Sequence, residues 1–77
     1  MKALITGASS GIGRDMARIL SSKGYDLILV ARDKNNLKKI KEELNTNIEI
    51  ITLDLSIPDN CKKLYEQVKN ENLSKTI

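Results

Sequence analysis

A chain of 77 residues with 40% hydrophobic and 30% charged side chains describes one folded domain, too aliphatic for a disordered segment and too short for two domains. The net charge of +3 comes from 13 basic residues interleaved with 10 acidic ones; without a basic stripe, and with aromatics at only 3%, nucleic acid is excluded as a partner. One cysteine and no histidine exclude an internal disulfide, a zinc cluster and a histidine base, and no apolar run reaches the roughly 20 residues that a membrane helix needs.

The chain opens Met1-Lys2 and enters a strand at once, with no signal-peptide pattern, so a cytoplasmic location and no membrane partner are expected. That first strand is predicted over Lys2 to Thr6, apolar on both sides as a buried parallel strand is. Gly7, Gly11 and Gly13 then mark a sharp turn into a helix from Ile12 to Lys23. Its predicted core stripe is Ile12, Met16, Ile19 and Leu20, with Arg14, Asp15, Arg18, Ser21 and Ser22 turned outward. Gly24 supplies a left-handed stop. The run DLILVA, Asp26 to Ala31, reads as a central strand. After Arg32, Asp33 caps a second helix that runs to about Leu44 and buries Leu37, Ile40 and Leu44. Its KKIKEE segment reads as a solvated face with the pairs Lys38–Glu42 and Lys39–Glu43.

A third strand is predicted from Ile48 to Leu53, ending at Asp54-Leu55. Ser56 is expected to cap a third helix with Pro58 in its first turn and a core stripe of Ile57, Cys61, Leu64, Tyr65 and Val68, which makes Cys61 a buried, inert thiol. Lys75-Thr76-Ile77 has the look of a strand barely begun. The order β-α-β-α-β-α implies right-handed crossovers and a three-stranded parallel sheet in the order 3-2-1. This is one mononucleotide-binding half of a doubly wound α/β fold, a single unit over 1–77 that stops before a fourth strand. The third helix goes to the face opposite the first two. The first strand is then an apolar edge, through which self-association is expected unless something else covers it.

The glycines stand between strand and helix, where the first helical amides lack internal partners and the helix dipole favours an anion. The spacing is Gly-x-x-x-Gly-x-Gly. With Thr6 in front, the stretch TGASSGIG from Thr6 to Gly13 closely resembles the cofactor motif of the short-chain dehydrogenase/reductase family. Arg32 after the second strand and Asp54-Leu55 after the third agree with it, and the resemblance runs along essentially the whole chain. It implies a partial Rossmann fold that binds a nicotinamide dinucleotide. By that resemblance Gly7 makes the tight turn, and Gly11 and Gly13 let pyrophosphate and helix approach the strand. The Ile12 amide would bond the pyrophosphate, and Ser9 and Ser10 would line the adenosine ribose end. Asp54 would accept from the adenine amine, beside the Leu55 amide.

Arg32 bears on the choice of cofactor. NAD binders carry an acid at the end of the second strand, at a position that matches Ala31 here; Arg32 instead offers a guanidinium to a 2′-phosphate. NADP(H) is therefore expected over NAD(H), with Asp33 serving as a helix cap and Arg14 as a surface residue. The family's Asn-Asn-Ala-Gly segment, catalytic Ser and catalytic Tyr-x-x-x-Lys are absent. Tyr65 and Lys69 match the last pattern only by spacing, on a helix far too early in the chain. The expectation is an NADP(H)-binding N-terminal part of a short-chain oxidoreductase, inactive alone, whose parent reaction is hydride transfer between NADPH and a carbonyl or alcohol. The alternative is a stand-alone, non-catalytic nucleotide-binding or self-associating module. A P-loop NTPase is excluded, because Gly13 is followed by Arg14-Asp15 rather than Lys-Ser/Thr.

Overall fold

The computed structural model describes residues 1–77. Elements alternate along it: β1 Lys2–Thr6, α1 Gly11–Ser22, β2 Asp26–Ala31, α2 Lys34–Glu43, β3 Ile48–Thr52, α3 Pro58–Val68 and β4 Lys75–Thr76. All strands pair in parallel, in the order β3-β2-β1-β4. The expected three-stranded sheet is thus corrected to four strands. Lys75 and Thr76 lie opposite Ala3 and Leu4. Flanking bonds run from Ser74 N–H to the Lys2 carbonyl (2.7 Å), from Ile77 N–H to that of Leu4 (2.8 Å) and from Thr6 N–H to that of Ile77 (2.8 Å).

These bonds occupy the backbone groups that an open edge would leave to water. β1 is therefore an interior strand, and self-association through its edge loses its basis. A two-residue strand is too short to carry a periodic signal, so Lys75-Thr76-Ile77 showed only as a strand barely begun and its pairing with β1 was not readable.

Strand side chains alternate between two cores of unequal size. On one face Ala3, Ile5, Leu27, Leu29, Ala31 and Ile48 pack with Ala17 and Leu20 of α1 and Leu37 and Ile40 of α2, in a cluster of 12 buried residues. On the other, Leu4, Ile28 and Val30 pack with Leu64 of α3, in a cluster of only four. β2 feeds both, and Leu27 to Val30 are fully buried.

α1 lies closer to the sheet than its periodicity suggested. Its buried row is Gly13, Ala17, Leu20 and Ser21. Leu20 was expected there and Met16 packs partly, but Ile12 and Ile19 are 81% and 48% exposed. A helix at this distance presents its smallest side chains to the sheet, and the large apolar ones flank the contact. Ser21, expected outward, is buried with its hydroxyl 2.9 Å from that of Thr46. Gly24, at φ +88°, ends the helix as predicted. Its N–H reaches the Ser21 carbonyl (2.9 Å) and Tyr25 N–H reaches that of Leu20 (3.1 Å), the paired bonds of a Schellman cap.

The anticipated pairs Lys38–Glu42 and Lys39–Glu43 do not form. Glu43 instead crosses to α1, where Arg14 and Arg18 approach its carboxylate at 2.8 and 3.0 Å. α3 departs furthest from expectation. Ile57, not Ser56, occupies its N-cap position, without a side-chain bond. Of the predicted stripe only Leu64 is buried and Val68 half-buried; Ile57, Cys61 and Tyr65 are exposed. α3 is the one helix on its face of the sheet, so only the row pointing straight at the strands is covered, and the Cys61 thiol meets solvent.

Candidate functional site

The carboxyl ends of β1, β2 and β3 lead into three loops that share a cleft of about 430 Å³. Gly7, Ser9 and Ser10 form one wall, Arg32 a second, and Asp54, Leu55 and Ser56 the third; Val30, Ala31 and Leu53 line the rest. Six of the nine residues singled out from the sequence thus meet in one place. The other three, Gly11, Ile12 and Gly13, form the first turn of α1 beside it.

The glycine loop is fixed from both ends. Ala8 N–H bonds the Val30 carbonyl (3.1 Å), carrying the β1–β2 ladder past Thr6 and laying the loop over β2. Gly7 then turns at φ +64°, which an L side chain resists. Ser10 is the N-cap of α1: its hydroxyl accepts from Gly13 N–H (3.2 Å) and donates to the Gly7 carbonyl (2.8 Å). Besides lining the cleft, Ser10 therefore holds the turn together, a capping role that its place before a helical run signals. The amides of Gly11 and Ile12 keep no partner in the chain. Two free N–H groups at a helix start, with its dipole behind them, make an anion site.

Arg32 is exposed and lines both this cleft and a shallow outer concavity shared with Asp33, Lys34 and Asn35. It forms no ion pair within the chain. The neighbouring Asp33 is the N-cap of α2, its Oδ1 accepting from Asn35 N–H (3.0 Å) and Asn36 N–H (3.2 Å). Arg14 is half-buried and turned to Glu43, not to the α1 amides; its Nε is buried without a partner.

Asp54 follows β3 and closes a tight turn. Ser56 donates to its Oδ1 through both the hydroxyl (2.6 Å) and the backbone N–H (3.0 Å). Asn60 Nδ2 bonds the Asp54 carbonyl from α3 (2.9 Å). The Ser56 hydroxyl first, its amide second and the Arg32 charge last hold the Asp54 carboxyl below the usual carboxylate range, against a small opposing effect of burial. This explains why Ser56 does not cap α3. Its position in the cleft was missed from the sequence, where the cap reading hid it; a serine two residues after an aspartate is itself the signal of such a turn. Tyr65 and Lys69 are away from the cleft: Tyr65 is 63% exposed and Lys69 pairs with Glu66 (2.8 Å).

The sequence pattern of the family described as short chain dehydrogenase matches residues 1–75. The chain belongs to this family. A very-long-chain 3-oxoacyl-CoA reductase from Candida glabrata is 41% identical over 69 residues, 82% of this chain and 20% of that protein. A metagenomic short-chain oxidoreductase solved in complex with NADP superposes with a TM-score of 0.88 at 31% identity, over 99% of this chain and 37% of the other. An alcohol dehydrogenase from the archaeon Thermococcus sibiricus, complexed with 5-hydroxy-NADP, gives 0.87 at 33% identity, over 97% and 34%. The chain spans 20% to 30% of the length of such curated relatives. It corresponds to the nucleotide-binding N-terminal region of short-chain dehydrogenases. No helix is long and apolar enough to cross a membrane.

Proposed function

We propose that this chain binds NADP(H), in preference to NAD(H), across the cleft at the carboxyl ends of β1, β2 and β3. It acts as the cofactor-holding part of a short-chain oxidoreductase whose reaction is hydride transfer between NADPH and a carbonyl or alcohol. The observation that carries this reading is the meeting of Gly7, Ser9, Ser10, Arg32, Asp54 and Leu55 around one cavity, of a size suited to part of a dinucleotide.

In it the pyrophosphate lies on the free amides of α1, with Ile12 N–H donating, while Gly11 and Gly13 keep the approach clear. The adenosine ribose rests against Ser9 and Ser10, and the adenine amine meets Asp54 beside the Leu55 amide. Arg32 faces the 2′-phosphate, with Lys34 adding positive charge in the same outer concavity. One feature beside Arg32 supports NADP over NAD: Ala31 stands where an acid would take the ribose hydroxyls, while Asp33 serves as the cap of α2 through its Oδ1. That the solved relatives above hold NADP and 5-hydroxy-NADP agrees. This chain carries no catalytic Ser, Tyr or Lys of the family, so it is expected to turn over no substrate by itself.

A second reading is a nucleotide-binding module that works without chemistry. The pairing of β1 with the chain's own β4 favours it, since the strand that carries the glycine loop has a neighbour on both sides.

Calorimetric titration of the chain with NADP+ and NAD+ tests both. Tighter binding of NADP+ is expected. Arg32→Ala should weaken NADP+ about tenfold, the low end for a hydrogen bond to a charged group at an exposed site, and change NAD+ less than about twofold. An unchanged ratio would overturn the role of Arg32. Binding by a monomer at micromolar levels favours the module reading.

A further inference from the structure

Asp54 is held through both its side chain and its main-chain carbonyl. A carboxylate on a loop ordinarily turns freely about its side-chain bonds and offers either oxygen to solvent. Here Oδ1 receives two donors from a single residue, the Ser56 hydroxyl at 2.6 Å and its backbone N–H at 3.0 Å. The first is a short, charge-assisted bond of the stronger kind. The main chain of the same aspartate is fixed separately. Its carbonyl accepts from Asn60 Nδ2 (2.9 Å) and from Ile57 N–H (3.2 Å), tying residue 54 to the start of α3. No donor within the chain reaches Oδ2. Asp54 and Ser56 both line the cleft, and Arg32 stands on its second wall.

We propose that Ser56 is the positioning residue for base recognition: by occupying Oδ1 it presents Oδ2 of Asp54 to the exocyclic amine of a 6-aminopurine. The proposal rests on the adenine role given to Asp54 above and adds the residue that makes that role selective. An ionised carboxylate can only accept. It therefore attracts an exocyclic N–H and repels the carbonyl that hypoxanthine carries in the same place. Selectivity of this kind requires a fixed oxygen, since a carboxylate free to rotate would swing away from a mismatched base at little cost. The hydroxyl of Ser56 supplies the fixation without contact between Ser56 and the base.

The test compares binding of NADP+ with that of its hypoxanthine analogue, nicotinamide hypoxanthine dinucleotide phosphate, by calorimetry on the full chain. The wild type is expected to prefer the adenine form by about tenfold, and Asp54→Ala to abolish that preference. Ser56→Ala should cut the preference to about threefold or less, chiefly by weakening the adenine form, and Ser56→Thr should restore it. A Ser56→Ala chain that weakens both dinucleotides equally, or keeps the full preference, overturns the proposal while leaving the cofactor reading intact. Failure of the wild type to bind either dinucleotide overturns the cofactor reading itself. Ser56 is exposed, so folding should persist. Circular dichroism checks this, and Ser56→Cys, with its weak donor, replaces the alanine variant if that one unfolds.

Discussion

Replacing Gly13 with alanine tests how closely the start of α1 lies against the glycine loop. A Cβ at this position would lie 2.4 Å from the Gly7 carbonyl oxygen, 2.9 Å from Ala8 Cα and 3.0 Å from the Gly7 carbonyl carbon, where ordinary contact begins near 3.4 Å. The start of α1 would have to retreat by about 1 Å, and since every opposing atom is backbone, no side-chain rotation can relieve the clash. Overpacking of this kind costs about 1–3 kcal/mol. Alanine's helical advantage over glycine returns at most about 1 kcal/mol. A clash that only backbone can relieve belongs in the upper part of that range, about 2–3 kcal/mol, so the net loss is about 1–2 kcal/mol, and with a urea slope of about 1 kcal/mol/M for so small a chain, the unfolding midpoint should fall by about 1–2 M. Gly11 is the control. A Cβ there meets nothing within 4 Å and its φ is not positive, so Gly11→Ala should stay within about 0.5 kcal/mol of the wild type. The same retreat carries the free amides of Gly11 and Ile12 away from a bound phosphate, so NADP+ affinity should fall with stability. A Gly13→Ala midpoint equal to or above the wild type, as helix propensity alone would give, would refute the close packing of α1 on the glycine loop.

Two further perturbations address the α1–α2 clamp and the exposed face of α3. Arg14 first and Arg18 second hold the Glu43 carboxyl below its usual range. Because the folded value lies below the unfolded one, the contribution is complete above about pH 4.5 and disappears as pH falls through the folded value. Glu43→Gln should therefore lower the urea midpoint at pH 7 and converge with the wild type as pH falls through the lowered value of the Glu43 carboxyl; a gap of constant size from pH 7 into that acid range would show that the clamp is not ionic. Cys61, exposed on α3, should react stoichiometrically with Ellman's reagent in the native chain at the rate seen in denaturant. A thiol that reacts only after unfolding would return it to a covered position.

Hydrophobic patterning located the main elements well, because β1 and β2 are apolar on both faces, β3 carries Ile48, Ile50 and Ile51, and the helices between them are bounded by Gly7, Gly24 and Asp33, whose local chemistry has few alternatives. The site was legible for the same reason. A phosphate loop needs glycine where φ is positive and where helix meets strand, and both conditions show in the sequence as spacing. Periodicity failed where a distance, not a polarity, decides burial. In α1 the contact with the sheet is too tight for Ile12 or Ile19, so Gly13, Ala17 and Ser21 take the inner row, and no apolar moment reveals how near a helix will lie. Ser56 failed differently. Cap and aspartate turn compete for one hydroxyl, and the Asp54 carboxylate, being charged, is the stronger acceptor.

The unequal cores also bear on how the cleft is supported. The glycine loop and Arg32 emerge from β1 and β2, which are clamped between α1, α2 and the large cluster of 12 buried residues. The Asp54 wall emerges between β3 and α3, and Leu55 beneath it packs only on the smaller cluster around Leu64. The proposed phosphate and 2′-phosphate positions therefore rest on the more heavily packed side of the sheet, and the proposed base position on the thinner one. On that thinner side hydrophobic burial does little to fix the carboxylate, and short-range hydrogen bonds do it instead, from Ser56 to the Asp54 side chain and from Asn60 and Ile57 to its carbonyl. Such bonds act across a single turn, so they can hold a side chain's orientation where the element carrying it is held by few apolar contacts. In the proposed binding mode, precision at the base thus comes from the turn itself, whereas precision at the phosphates comes from the packing of α1 against the sheet.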